Sequence, residues 1–158
     1  LIAYFDTSAL MKLILDEEGS DIAQEVWELS SRRLASRIVY PEARAGVAAA
    51  ERSGRIDAEE LMTAVANLEG ATRSLHLIDV DSEVAERAGD LAELHGLRAA
   101  DAMHLASMTV VDSPRLLAAV WDKRLAVAAS RCGIGVVPAP PNWTDQQAGE
   151  DADPLMIG

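Results

Sequence analysis

Residues 2–15, IAYFDTSALMKLIL, set the architecture: an apolar, β-favouring run stops at Asp6, and an apolar pattern of helical period starts just behind it. The reading is a buried strand ending at Asp6 and a helix beginning near Thr7. In an open α/β sheet the carboxyl ends of the strands, backed by helix N-termini, form the edge where ligands bind. An acid on that edge is a candidate metal ligand, and it is equally a helix cap. Asp6 alone leaves both readings open, so the remaining acids must decide.

The same alternation continues along the chain. Asp16 to Gly19 make a polar break, and Ser20 with Asp21 can cap a helix that shows Ile22, Val26 and Leu29 on one face. A short strand is expected around Leu34 to Ser36. Pro41 suits a helix's first turn, which puts Glu42 near the positive end of that helix. Gly54 interrupts the Ala-rich helix; Asp57 and Glu60 have capping-box spacing ahead of a helix through residues 61–68, and residues 75–80, LHLIDV, read as a strand. A helix over residues 82–95 stops at Gly96, and residues 97–108, LRAADAMHLASM, form another with Asp101 among small alanines. Residues 116–120 read as a buried strand whose end is followed by Asp122, just as Asp6 follows the first. A helix over 125–129 and a strand over 134–137 complete an α/β alternation that predicts a mainly parallel central sheet covered on both faces.

At 158 residues and 49% hydrophobic, the chain fits one domain with an ordinary core. Cys132 is the only cysteine, which excludes an intrachain disulfide or a thiolate zinc site and suits a reducing cytoplasm. No stretch approaches the roughly 18 apolar residues of a membrane span, and no basic region precedes an apolar one near the N-terminus, so a soluble, unexported protein with no membrane partner is expected. The first residue is Leu1 rather than Met, so the natural start is expected a little upstream. From Pro138 onward four prolines and four acids stand without a base. This divides the chain into a domain over residues 1–138 and an acidic Pro-rich C-terminal tail over 139–158, with Trp143 or Leu155 to Ile157 the expected anchors of the tail.

The formal net charge of −12 argues against holding nucleic acid through a general positive field. Between Arg32 and Ile56, however, six arginines face two acids. That segment reads either as a track for phosphates or as a solvated helix face with pairs such as Glu51 and Arg55 at i, i+4.

Four acids carry the chemistry: Asp6 and Asp122 after strands, Glu42 and Asp101 on helices. If the strands lie side by side, all four point into one cleft. Gathered carboxylates raise one another's pKa, and a hard divalent ion such as Mg²⁺ or Mn²⁺ relieves that repulsion. Two such ions about 3.5–4 Å apart stabilise the attacking and leaving oxygens of a phosphodiester displacement. Four carboxylates and two divalent ions sum to zero, which admits an anionic phosphate to an acidic protein.

Among 26 acids, spacing alone is a weak signal. The strings FDTSAL and EEGS, PEARAG, GLRAADAMHLA, WDKRL and AASRCGIGVVP resemble, in order and separation, the PIN-domain family, especially VapC-type toxins of bacterial toxin–antitoxin pairs. The likeness covers residues 1 to about 138, with GLRAADAMHLA and FDTSAL its most specific parts. It implies a compact α/β/α sandwich and a metal-dependent ribonuclease acting on RNA, with Asp6, Glu42, Asp101 and Asp122 as the acidic ligands. It also implies a homodimer and a cognate VapB-like antitoxin that blocks the cleft. One departure stands out: the family often has Thr two residues before the last Asp, where this chain has Val120.

Supporting residues each carry two readings. Thr7 and Ser8 orient water beside Asp6, or cap the helix. His104, one turn beyond Asp101, touches substrate or simply packs. Lys12 and Arg98 contact phosphate or are solvated charges; Trp121 stacks on a base or joins the core; Asp90 and Asp112 read as surface groups. Two other functions fit part of the residue pattern. A haloacid-dehalogenase-like phosphatase wants a second Asp where Ser8 stands, and a PIN-like binding or regulatory module with weakened catalysis would explain Val120.

Overall fold

The computed structural model describes residues 1–139. The first strand, β1 (Ile2–Phe5), is the middle of a five-stranded sheet in the order β3-β2-β1-β4-β5, with β2 (Arg32–Ser36), β3 (His76–Ile78), β4 (Leu116–Ala119) and β5 (Gly135–Val137). All four pairings are parallel, Tyr4 lying opposite Leu34 on one side and Ala118 on the other. Parallel strands need crossovers, and helices provide them on both faces.

Period-two alternation explains how one strand feeds two cores. Ala3 and Phe5 pack with α1 (Thr7–Ile14), α2 (Ser20–Leu29), α3 (Val39–Arg52) and α4 (Ala58–Arg73). Tyr4 faces the opposite layer, made by α5 (Ser82–His95), α6 (Ala99–Thr109) and α7 (Lys123–Arg131). The result is the α/β/α sandwich that the sequence led us to expect. From β1 the chain builds outward to β2 and β3 on one side, then to β4 and β5 on the other. The gap between the carboxyl ends of β1 and β4 is therefore the topological switch point, where open α/β sheets bind ligands.

Local chemistry sets most boundaries. Asp57 and Glu60 form the expected reciprocal capping box, and α4 runs well past residue 68 to Arg73. The helix expected from Leu97 starts at Ala99, because Arg98 is extended as its N-cap. Two expectations fail on packing. Leu29 is 64% exposed while Ala23, Val26 and Ser30 are buried, since the buried stripe of α2 runs through 23, 26 and 30 and Leu29 falls off its edge. Arg55 pairs with Glu17 at 3.2 Å rather than with Glu51, because α3 has already ended at Arg52. The tail beyond residue 139, including Trp143 and Leu155 to Ile157, lies outside the described residues. Among the described residues no helix is long and apolar enough to cross a membrane.

Candidate active site

Asp6 follows β1 and caps α1, accepting the Ala9 N–H on Oδ1 at 2.8 Å, so the cap and the sheet-edge acid are one residue. Ser8 Oγ donates to both Asp6 oxygens, at 2.7 and 2.8 Å. Burial pushes the Asp6 carboxyl up to about 6; His104, the Ser8 hydroxyl and the Ala9 N–H oppose the rise, and the charge of Asp122 adds to it.

Glu42 lies in the first turn of α3. Its Oε2 accepts the Thr7 hydroxyl at 2.5 Å and faces His104 Nε2 at 2.8 Å. Burial alone would raise its pKa, but these two partners outweigh burial and hold it below the ordinary range. Asp101 lies in the first turn of α6 and is half-buried. Its pKa is raised by burial and then by the charges of Asp122 and Glu42, with His104 and Arg98 pulling the other way. Asp122 is exposed and caps α7, taking the Leu125 N–H on Oδ1 at 2.9 Å.

The four acids thus lie around the carboxyl edge of the sheet, where the charge of Asp122 bears on both Asp6 and Asp101 and that of Glu42 on Asp101. As they stand, no three His, Cys, Asp or Glu side chains among the described residues are drawn together tightly enough to hold a metal ion. Three of the four are turned toward local donors instead. The donor set is nevertheless suited to a hard cation: it is all carboxylate oxygen, and burial, with mutual repulsion added to it, already raises two of its members. Among the described residues, Asp122 Oδ2 and Glu42 Oε1 accept none of these bonds, which leaves capacity for a ligand.

The supporting residues divide clearly. Ser8 Oγ also accepts the Trp121 N–H at 2.9 Å and Thr7 holds Glu42; neither caps α1, since Asp6 takes that role. His104 is 2% exposed and packed, with Tyr4 OH 2.8 Å from its Nδ1. Lys12 is not a solvated charge: its Nζ meets Glu17 at 3.1 Å and the Glu18 carbonyl at 2.7 Å, and lies over the Trp121 ring at 5.3 Å. Arg98, Asp90 and Asp112 are exposed. Trp121 packs against Gly19, and the two residues help line a cavity of about 670 Å³ whose lining includes none of the four acids. Val120 is 1% exposed and packs in the α5–α7 core.

The basic segment is largely occupied by its own partners. Arg33 covers the Trp27 ring and bonds its carbonyl, Arg37 pairs with Asp79, and Arg44 reaches the Tyr40 hydroxyl at 3.1 Å. Sequence reasoning missed Tyr4, whose only outward sign was an aromatic in a strand.

Three comparisons bear on this geometry. The PIN domain family model matches residues 3–129. Ribonuclease VapC45 of Mycobacterium tuberculosis (strain CDC 1551 / Oshkosh) is 41% identical over 138 residues, 87% of this chain and 96% of the relative. Among solved structures, PAE2754 from Pyrobaculum aerophilum superposes with a TM-score of 0.63 at 20% identity, over 87% of this chain and 91% of that one. A toxin–antitoxin complex from Klebsiella pneumoniae gives 0.58 at 22% identity, over 78% and 89%.

Proposed function

The chain belongs to the PIN-domain family, and on that premise we propose that it is a VapC-like endoribonuclease toxin, a hydrolase that cuts RNA phosphodiesters and is restrained by a cognate VapB-like antitoxin. Identity of 41% across nearly the whole length of a relative named as a ribonuclease carries the reading. The family match sets aside the phosphatase alternative.

Asp6, Glu42, Asp101 and Asp122 would hold Mg²⁺ or Mn²⁺. When bound, the pair supplies Lewis-acid stabilisation of the attacking and leaving oxygens. The chain's own residues do the rest. Ser8, itself held by the Trp121 N–H in the loop after β4, fixes the Asp6 carboxylate, and Thr7 fixes Glu42. The helix N-termini behind Asp6, Glu42, Asp101 and Asp122 add positive ends of dipoles at the edge where phosphate must sit. On the same reading the protein would be a homodimer in the cytoplasm.

Incubating the purified protein with structured and single-stranded RNAs, with Mg²⁺, Mn²⁺ or a chelator, tests the proposal. Cleavage is expected with either ion and not with the chelator. Intact RNA under every metal condition, or equal cutting in chelator, contradicts it.

A further inference from the structure

We infer that His104 is a positioning residue, which, with its tautomer fixed by Tyr4, aims the Glu42 carboxylate into the divalent-cation site. The inference rests on the reading of Glu42 as a metal ligand. It adds a brace that belongs to this chain's own packing.

The observation is a hydrogen-bonded line that crosses four elements. The Ser36 backbone N–H at the end of β2 donates to the Tyr4 hydroxyl on β1 at 2.9 Å. That leaves Tyr4's own hydrogen for His104 Nδ1 on α6, 2.8 Å away. Tyr4 is fully buried, and burial drives its phenol far above the ordinary value, so it keeps this proton. An imidazole that accepts at Nδ1 carries its hydrogen on Nε2, and Nε2 lies 2.8 Å from Glu42 Oε2 on α3. Thr7 donates to the same oxygen.

Two donors on one oxygen hold the carboxylate's rotation while its other oxygen stays available. His104 is 2% exposed and both ring nitrogens are engaged, so it touches neither substrate nor solvent. Its effect must pass through Glu42. Neighbours that donate to a metal ligand commonly set its orientation and affinity in this way.

Calorimetric titration of Mn²⁺ without RNA separates the alternatives. His104→Asn is too short to reach Glu42 and should weaken Mn²⁺ binding about tenfold. His104→Gln, which returns an amide N–H near the Nε2 position, should recover most of that loss. Tyr4→Phe keeps the ring's packing, removes the group that fixes the tautomer, and should weaken binding in the same direction. In a Glu42→Gln background neither Tyr4→Phe nor His104→Asn should cost anything further. Wild-type affinity in Tyr4→Phe, or losses that persist undiminished beside Glu42→Gln, overturns the inference. If His104→Asn does not fold, Tyr4→Phe decides alone. Failure of the wild-type protein to bind Mn²⁺ contradicts the metal-site reading itself and takes this inference with it, whereas wild-type binding with unaffected variants overturns the brace alone.

Discussion

Ser8 Oγ accepts the backbone N–H of Trp121 at 2.9 Å, joining residues 113 positions apart, and at the same time donates to the Asp6 carboxylate. One hydroxyl thereby ties the turn after β1 to the loop after β4, the two segments that border the switch point.

Ser8→Ala removes both bonds and leaves a part-buried N–H without its acceptor, so a loss of about 1–3 kcal/mol is expected. The Ser8 hydroxyl also lowers the Asp6 pKa, so the variant's Asp6 should hold its proton to higher pH than in the wild type. Chemical denaturation gives the first and carboxyl titration by NMR the second. A Ser8→Ala protein as stable as wild type with an unmoved Asp6 would refute the tie.

Asp6 has a second consequence for the metal-free protein. Its folded pKa of about 6 lies above the ordinary 3.8, so between those values the native state binds the extra proton. Stability from this group is therefore lost as pH rises from about 4 to 6 and stays low above it. The shift corresponds to something on the order of 3 kcal/mol. Asp6→Asn, which keeps a capping oxygen, should be more stable than metal-free wild type at pH 7 and should lose that slope. Added Mn²⁺ should raise the melting temperature of wild type and not of the variant, because a ligand selective for the folded state stabilises it. Parallel pH profiles for the two proteins without metal would contradict this.

Gly19 and Gly54 form a controlled pair. Both hold positive φ, +88° and +74°, but an added Cβ at Gly19 would stand 2.7 Å from Trp121 Nε1, whereas nothing lies within 4 Å at Gly54. Gly54→Ala should cost about 1–3 kcal/mol from the backbone alone. Gly19→Ala should cost more and displace the indole. Equal melting temperatures for the two variants would show that Trp121 is not held where the structure puts it.

Much of this was legible because local chemistry and tertiary structure agree. The helix over 82–95 is bounded as expected, since Asp81 caps one end and Gly96 ends the other. Asp6 and Asp122 stood out because each follows an apolar run and begins a helix, which is where the sheet's edge must be. The arrangement β3-β2-β1-β4-β5 sets β1 beside β4, which brings the strand-end acids Asp6 and Asp122 to one edge, whereas Glu42 and Asp101 sit on helices whose placement no strand order reveals. What stayed hidden depends on contacts that no window of sequence contains. The Tyr4–His104 bond spans 100 positions, and the choice of Glu17 over Glu51 by Arg55 depends on where α3 ends. Lys12 looked solvated because nothing local announces the carbonyl of Glu18 or the ring of Trp121 beside it.

The most direct measurement is RNA cleavage by Asp6→Asn and Asp101→Asn at saturating Mn²⁺, each checked for a cooperative melting transition. Both proteins should fold and neither should cut. If either folded variant cleaves at the wild-type rate, the acids at the switch point are not what cuts RNA.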